Sequence, residues 1–168
     1  MCEQQKQVIE FYGIGGMYGF LSNFYGSIFE LQGQQWPSVE HCYQASKAVL
    51  EEDRKKIASA ETAAIAKKLG KVCQCRKDWD QLVGTPALHR VFSDTQGVVV
   101  ERTKDHIMFA ALVAKFTQRR ELHQALFFTG NTELIECSPF DYYWGIGKDR
   151  AGLNKLGRML QLVRSRLS

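Results

Sequence analysis

The apolar positions of this chain change period several times, and each change marks an element. Residues 8–12 (VIEFY) form a short apolar-aromatic run that predicts a strand. Gly13, Gly15, Gly16 and Gly19 then punctuate a loop that ends in Leu21-Ser22-Asn23-Phe24. Residues 27–31 predict a second strand, with a turn at Gly33. Ser38 is placed to cap a helix running to about Leu50, with Glu40 in the first turn, where the helix dipole favours a carboxylate. Val39, Tyr43, Ser46 and Leu50 lie on one stripe of it.

Residues 62–69 predict an Ala-rich helix that Gly70 would stop. Residues 76–82 read as a turn or short helix, and 84–97 as a loop. The longest helical pattern covers 99–116, with Ile107, Met108, Ala111, Leu112 and Phe116 turned inward. Residues 120–128 form another helix, ended by Gly130-Asn131, and 133–136 a short strand. A glycine-rich, aromatic loop fills 141–152. An amphipathic helix over 153–167 follows, through Leu156, Leu160, Val163 and Leu167. The sum is an α+β fold: one mainly helical domain over 1–168 with a few short strands. The strands do not alternate with helices as a doubly wound sheet requires.

The bulk numbers narrow the class. At 45% hydrophobic and 24% charged residues, the chain has ordinary globular composition, which argues against disorder. No apolar run approaches the roughly 20 residues a bilayer span needs, and residues 1–10 are polar, unlike a secretory signal. A soluble, cytoplasmic protein without membrane association is expected. Five cysteines at irregular spacing do not form a disulfide framework, and reduced thiols are expected. Neither they nor His41, His89, His106 and His123 show metal-ligand spacing, so no metal and no cofactor is expected. Ser22 lacks the GxSxG context of a serine hydrolase. The net charge of +4 suits an anionic partner without proving one. Lys67, Lys68, Lys71, Arg76 and Lys77 cluster as either a solvated face or a phosphate contact.

Three places could carry chemistry. Glu40, Gln44 and Lys47 stand at helical spacing within a wedge of about 60°. The wedge borders the apolar stripe, so it belongs either to a cleft edge or to a solvated face with paired charges. In a cleft, Glu40 could activate water, stabilise a cationic sugar carbon, or donate a proton to a leaving base. Lys47 could hold Glu40 charged or attack the sugar carbon to form an imine. The second place is Asp141 to Gly145 with Gly147, Lys148, Arg150, Gly152 and Asn154, where glycines let backbone N–H groups approach an anion. The third is the pair Trp79 and Trp144, which could stack a flat ring or simply fill the core.

At these residues the sequence resembles the NADAR family, the YbiA-like N-glycosidases. The matching pieces are Phe11-Tyr12, Leu21-Ser22-Asn23-Phe24, the segment from Trp36 to Lys47, Arg76-Lys77-Asp78-Trp79, Met108, Ala114-Lys115-Phe116, Asp141 to Gly145, and Gly152 to Gly157. They span nearly the whole chain, and WPSxEHxxQAxK is the most specific. The resemblance implies a compact α+β fold of the YbiA-like kind and hydrolysis of an N-glycosidic bond to ribose. It implies Glu40 as catalytic carboxylate, Lys47 as its catalytic or nucleophilic partner, and Asp141 as a second acid. Trp79 and Trp144 are implied as ring-stacking walls. Asn23, Phe24, Gln44, Gly145 and Asn154 are the implied substrate contacts.

The family's substrates imply two partners: ADP-ribose on guanine in nucleic acid or nucleotides, and phosphorylated ribosylaminopyrimidines of riboflavin biosynthesis. The lysine cluster and an extra segment over 83–98 tip the expectation toward ADP-ribosylated guanine. That segment could act as a lid, and Lys148-Asp149-Arg150 depart from a more glycine-rich loop. A non-catalytic ADP-ribose or NAD reader is the competing class, though a plain binder of anions gains nothing from Glu40.

Overall fold

A computed structural model describes residues 7–82 and 102–167. Strand β1, Val8–Phe11, pairs in parallel with β4, Glu133–Glu136, from Val8 opposite Glu133 to Phe11 opposite Glu136. Alternation decides what each strand buries: Ile9 and Phe11 point inward on β1, Leu134 and Glu136 on β4. Strands β2, Phe29–Leu31, and β3, Gln34–Trp36, form an antiparallel hairpin. Its two turn residues, Gln32 and Gly33, both take positive φ (56° and 75°), the pattern that matches the twist of a two-residue hairpin.

Helix α1, Val39–Lys47, begins where Ser38 accepts a hydrogen bond from the His41 backbone N–H. It is followed by α2, Glu51–Ala58, α3, Ala63–Val72, α4, Thr103–Gln118, α5, Arg120–Phe127, and α6, Lys155–Arg166. The core forms where α4 meets α1 and α6. Met108, Ala111, Leu112 and Phe116 of α4 are essentially inaccessible, as are Val39 of α1 and Met159 and Leu160 of α6. Among the described residues no helix is long and apolar enough to cross a membrane.

Four expectations needed correction. The first helix stops at Lys47 and not near Leu50, because Ala48 turns extended and bridges Cys75. Helix α2 went unread: EEDRKKIA buries only Ile57, so no apolar period announces it. Strand β3 has two exposed glutamines and gives no strand signal. Gly70 does not end α3 but sits inside it, where a Cβ would stand 2.0 Å from Gln44 Oε1. It is the crossing point that lets α1 and α3 approach closely. The loop expected at 84–97 and the proposed lid at 83–98 lie outside the described residues, as does the expected start of α4 at 99.

Candidate active site

Helix α1 is packed by α2, α3 and α4, so polar side chains on several of its faces leave water. Burying a polar group costs free energy unless a partner is supplied, and the partners are visible. His41 is 2% exposed; its ring bonds the Ser38 hydroxyl at 2.7 Å and the Ala60 carbonyl at 3.0 Å. Burial holds its pKa below the usual histidine value. Glu40 is 5% exposed and accepts a 2.7 Å hydrogen bond from Gln44 Nε2, one turn along the helix. Burial raises the Glu40 pKa, opposed in turn by the Gln44 hydrogen bond and the charges of Lys67 and Lys47, and reinforced by Asp141.

Glu40 is fixed from the other side as well. Its backbone N–H donates to the Asn23 carbonyl at 3.0 Å, docking the 22–24 loop on the first turn of α1. The loop is itself held by Lys115, a lysine with no exposed surface on α4. Lys115 Nζ donates to the Phe20 and Ser22 carbonyls at 2.7 and 2.9 Å. Asn23 is buried, and its Oδ1 has no hydrogen-bond partner. Phe24 is half-buried, with Lys67 Nζ 5.3 Å from its ring centre.

The aromatic residues form one cluster around Tyr43. Its ring lies 5.0 Å from Trp79 and 5.5 Å from Trp144, the latter edge-on, and Trp144 Nε1 donates to the Tyr43 hydroxyl at 3.3 Å. Trp79 is 7% exposed and half-buried Trp144 more open, so together they wall the site and share its packing. Burial, and then the charges of Glu40 and Asp141, push the Tyr43 pKa well above the usual tyrosine range.

Asp141 opens the loop before α6. Its Oδ1 accepts from the backbone N–H groups of Tyr143 and Trp144 at 2.9 and 2.8 Å, a local turn that aims the 141–145 segment inward. Gly145 is buried there; a Cβ on it would meet the Glu136 and Asp141 carbonyl oxygens at 2.8 and 3.0 Å. Asn154, expected to contact ribose or phosphate, commits both ends of its amide to β4. Its Oδ1 accepts from Glu136 N at 3.0 Å and its Nδ2 donates to Leu134 O at 2.9 Å.

The structure therefore sets Asn23 and Phe24 at the start of α1 beside Glu40 and Gln44, groups Trp79 and Trp144 around Tyr43 on the same helix, packs Gly145 against Asp141, and leaves Lys47 half-buried at the other end of α1. Sequence reading missed two members, Lys67 and Glu136. Lys67 was legible only as one of a lysine run. Glu136 carried a usable signal: it shares the inward face of β4 with Leu134, an unusual place for an acid. Two clefts lie elsewhere. One of about 710 Å³ is bordered by Arg120, His123, Phe127 and Phe128, and one of about 230 Å³ by Trp36, Cys42 and His106. Neither is lined by the acids, so chemistry and not size marks the site. Among the described residues no three side chains of metal-binding type cluster.

Comparison with known proteins gives the family and the fold. The NADAR domain model matches residues 10–168. An N-glycosidase of Nostoc punctiforme is 32% identical over 164 residues, covering 95% of this chain and 92% of that protein. N-glycosidase YbiA of Escherichia coli is 31% identical, covering 98% and 91%. A riboflavin biosynthesis protein of Vibrio vulnificus is 35% identical, but the match spans only 39% of its length. The solved structure of E. coli YbiA superposes with a TM-score of 0.76 at 31% identity, covering 98% of this chain and 87% of that one. Family model, relatives and fold concur: the chain belongs to the NADAR family of N-glycosidases.

Proposed function

We propose that this site hydrolyses the bond between a ribose carbon and a base-like nitrogen, with Glu40 as the general acid. The observation that carries the proposal is a carboxyl 5% exposed, with burial raising its pKa, in the field of two lysines. A protonated acid in such a place can give its proton to the departing nitrogen. Lys47 and Lys67 then balance the carboxylate left behind. Asp141 and the carbonyl-lined turn around it supply the negative charge that would offset positive charge developing on the sugar carbon. Tyr43, Trp79 and Trp144 supply the flat, apolar wall a base requires.

ADP-ribose attached to guanine is the favoured substrate. Lys67 turns into the site while Lys68, Lys71 and Lys77 stay exposed beside it, a track suited to additional phosphates. A second reading, a phosphorylated ribosylaminopyrimidine, draws support from relatives named as riboflavin biosynthesis proteins in Vibrio vulnificus and Zea mays. The two substrates are incubated in parallel with wild type and Glu40→Gln, and free base is quantified. Wild type releases base, and the variant loses at least ~100-fold in rate. Near-normal turnover by Glu40→Gln removes Glu40 from the chemistry, and failure of wild type on both substrates refutes the function.

A further inference from the structure

Resting on that hydrolytic reading, we propose that Glu136 is a further catalytic residue of the same site, the base that takes a proton from the attacking water.

The starting point is an anomaly of patterning. Glu136 closes β4 on the inward side, where Leu134 is wholly buried and an apolar residue would ordinarily stand. It is 7% exposed, and among the described residues no cation pairs with it at salt-bridge distance. An acid kept under those conditions costs stability, and such costs concentrate at functional sites. Its backbone is nevertheless held on three sides. Asn154 Oδ1 accepts from its N–H, Ile146 N–H donates to its carbonyl at 3.0 Å, and Phe11 pairs with it across the sheet.

Gly145 packs against both Glu136 and the Asp141 carbonyl, which sets this acid beside the 141–145 turn. Asp141 and Lys67 act electrostatically on Glu136, and the same two groups act on Glu40. The Ser138 backbone N–H donates to the Glu136 carboxylate, and the Cys137 thiol also feels its charge. Gly145 closes over it: a Cβ at Gly145 would lie 3.2 Å from Glu136 Cγ, so only glycine lets the 141–145 turn settle against this acid. One sequence-distant strand and one helix thus present two buried carboxyls to a shared lysine and a shared aspartate. Burial, with the nearby Asp141 adding to it, pushes the Glu136 pKa up to about 7, a suitable value for a proton acceptor near neutrality.

The proton inventory closes. The water oxygen bonds to the ribose carbon as the carbon–nitrogen bond breaks. The bonding pair goes to nitrogen, which takes the proton of Glu40, and the water proton goes to the Glu136 carboxylate. Exchange with solvent then returns a proton to Glu40 and removes one from Glu136.

The test compares wild type, Glu136→Gln and Glu136→Asp across pH on the substrate that wild type cleaves. Glu136→Gln is expected to lose ~100-fold or more in kcat, with KM little changed, and to lose the acidic limb near neutrality. Glu136→Asp, which keeps the carboxyl but withdraws it by one methylene, retains that limb at a reduced rate and serves if the amide fails to fold. Wild-type kcat in either variant, or a slow Glu136→Gln whose acidic limb is intact, overturns the assignment and leaves the hydrolytic reading standing. A wild type inactive on both ribosides overturns the two together.

Discussion

Replacing Lys115 with methionine tests how the loop that precedes α1 is held. The side chain has no exposed surface and bonds two carbonyls, Phe20 O and Ser22 O, with no carboxylate among those partners. Burial lowers its pKa from 10.5 to about 7. A folded-state pKa below the unfolded one means the unfolded chain binds more protons between those values, so stability rises with pH there. With folded and unfolded pKa values of about 7 and 10.5, the gain between pH 7 and roughly pH 9 is about 2 kcal/mol. For a chain of this size that corresponds to roughly 5 °C in Tm. Lys115→Met abolishes this component and takes a donor from the Phe20 carbonyl, at a cost of ~1–3 kcal/mol, while the Ser22 carbonyl keeps the Tyr25 N–H. Thermal melts of both proteins across that pH interval read the difference between their slopes. The same slope in wild type and variant would refute a buried, titrating Lys115.

Two further substitutions probe how the site is held. Asn154→Ala removes both amide bonds to β4 and puts at φ 50° a residue that tolerates the left-handed region less well than asparagine, so a loss of ~2–4 kcal/mol is expected in chemical denaturation; Asn154→Gly should recover only the backbone part, and wild-type stability in the alanine variant would refute a structural role for these two bonds. Gly70→Ala forces a Cβ to within 2.0 Å of Gln44 Oε1, so Gln44 must shift from Glu40 or α3 must move; a loss of ~1–3 kcal/mol is expected by melting, with a changed pH profile of turnover, and an unperturbed variant would show that the helix crossing is looser than drawn.

The helices that bury a regular stripe were readable before any coordinates. Met108, Ala111, Leu112 and Phe116 announce α4, and Leu156, Leu160 and Val163 announce α6. Glu40 and Lys47 were legible as neighbours because a helix fixes their spacing. What stayed hidden had a physical reason in each case. Helix α2 is polar on nearly every face and is stabilised by its setting, with acids in its first turn and lysines in its last. Gly70 carries the signature of a helix stop, but close contact between helices demands glycine equally. Glu136 and Lys67 come from separate elements, and no local pattern states that a strand and a helix will converge. The bonds of Asn154 to β4 were equally hidden, because the two backbone groups are 18 and 20 residues away.

The parallel rung between Phe11 and Glu136 joins segments that synthesis produces far apart in time. A ribosome exposes Glu40, its lysines and the first strand well before the strand that carries Glu136 has been made. Parallel pairing over such a separation must also wait for a costly loop closure. Until both segments have emerged and zipped together, Glu136 has no buried setting, so its packing against Gly145 is among the last contacts to form.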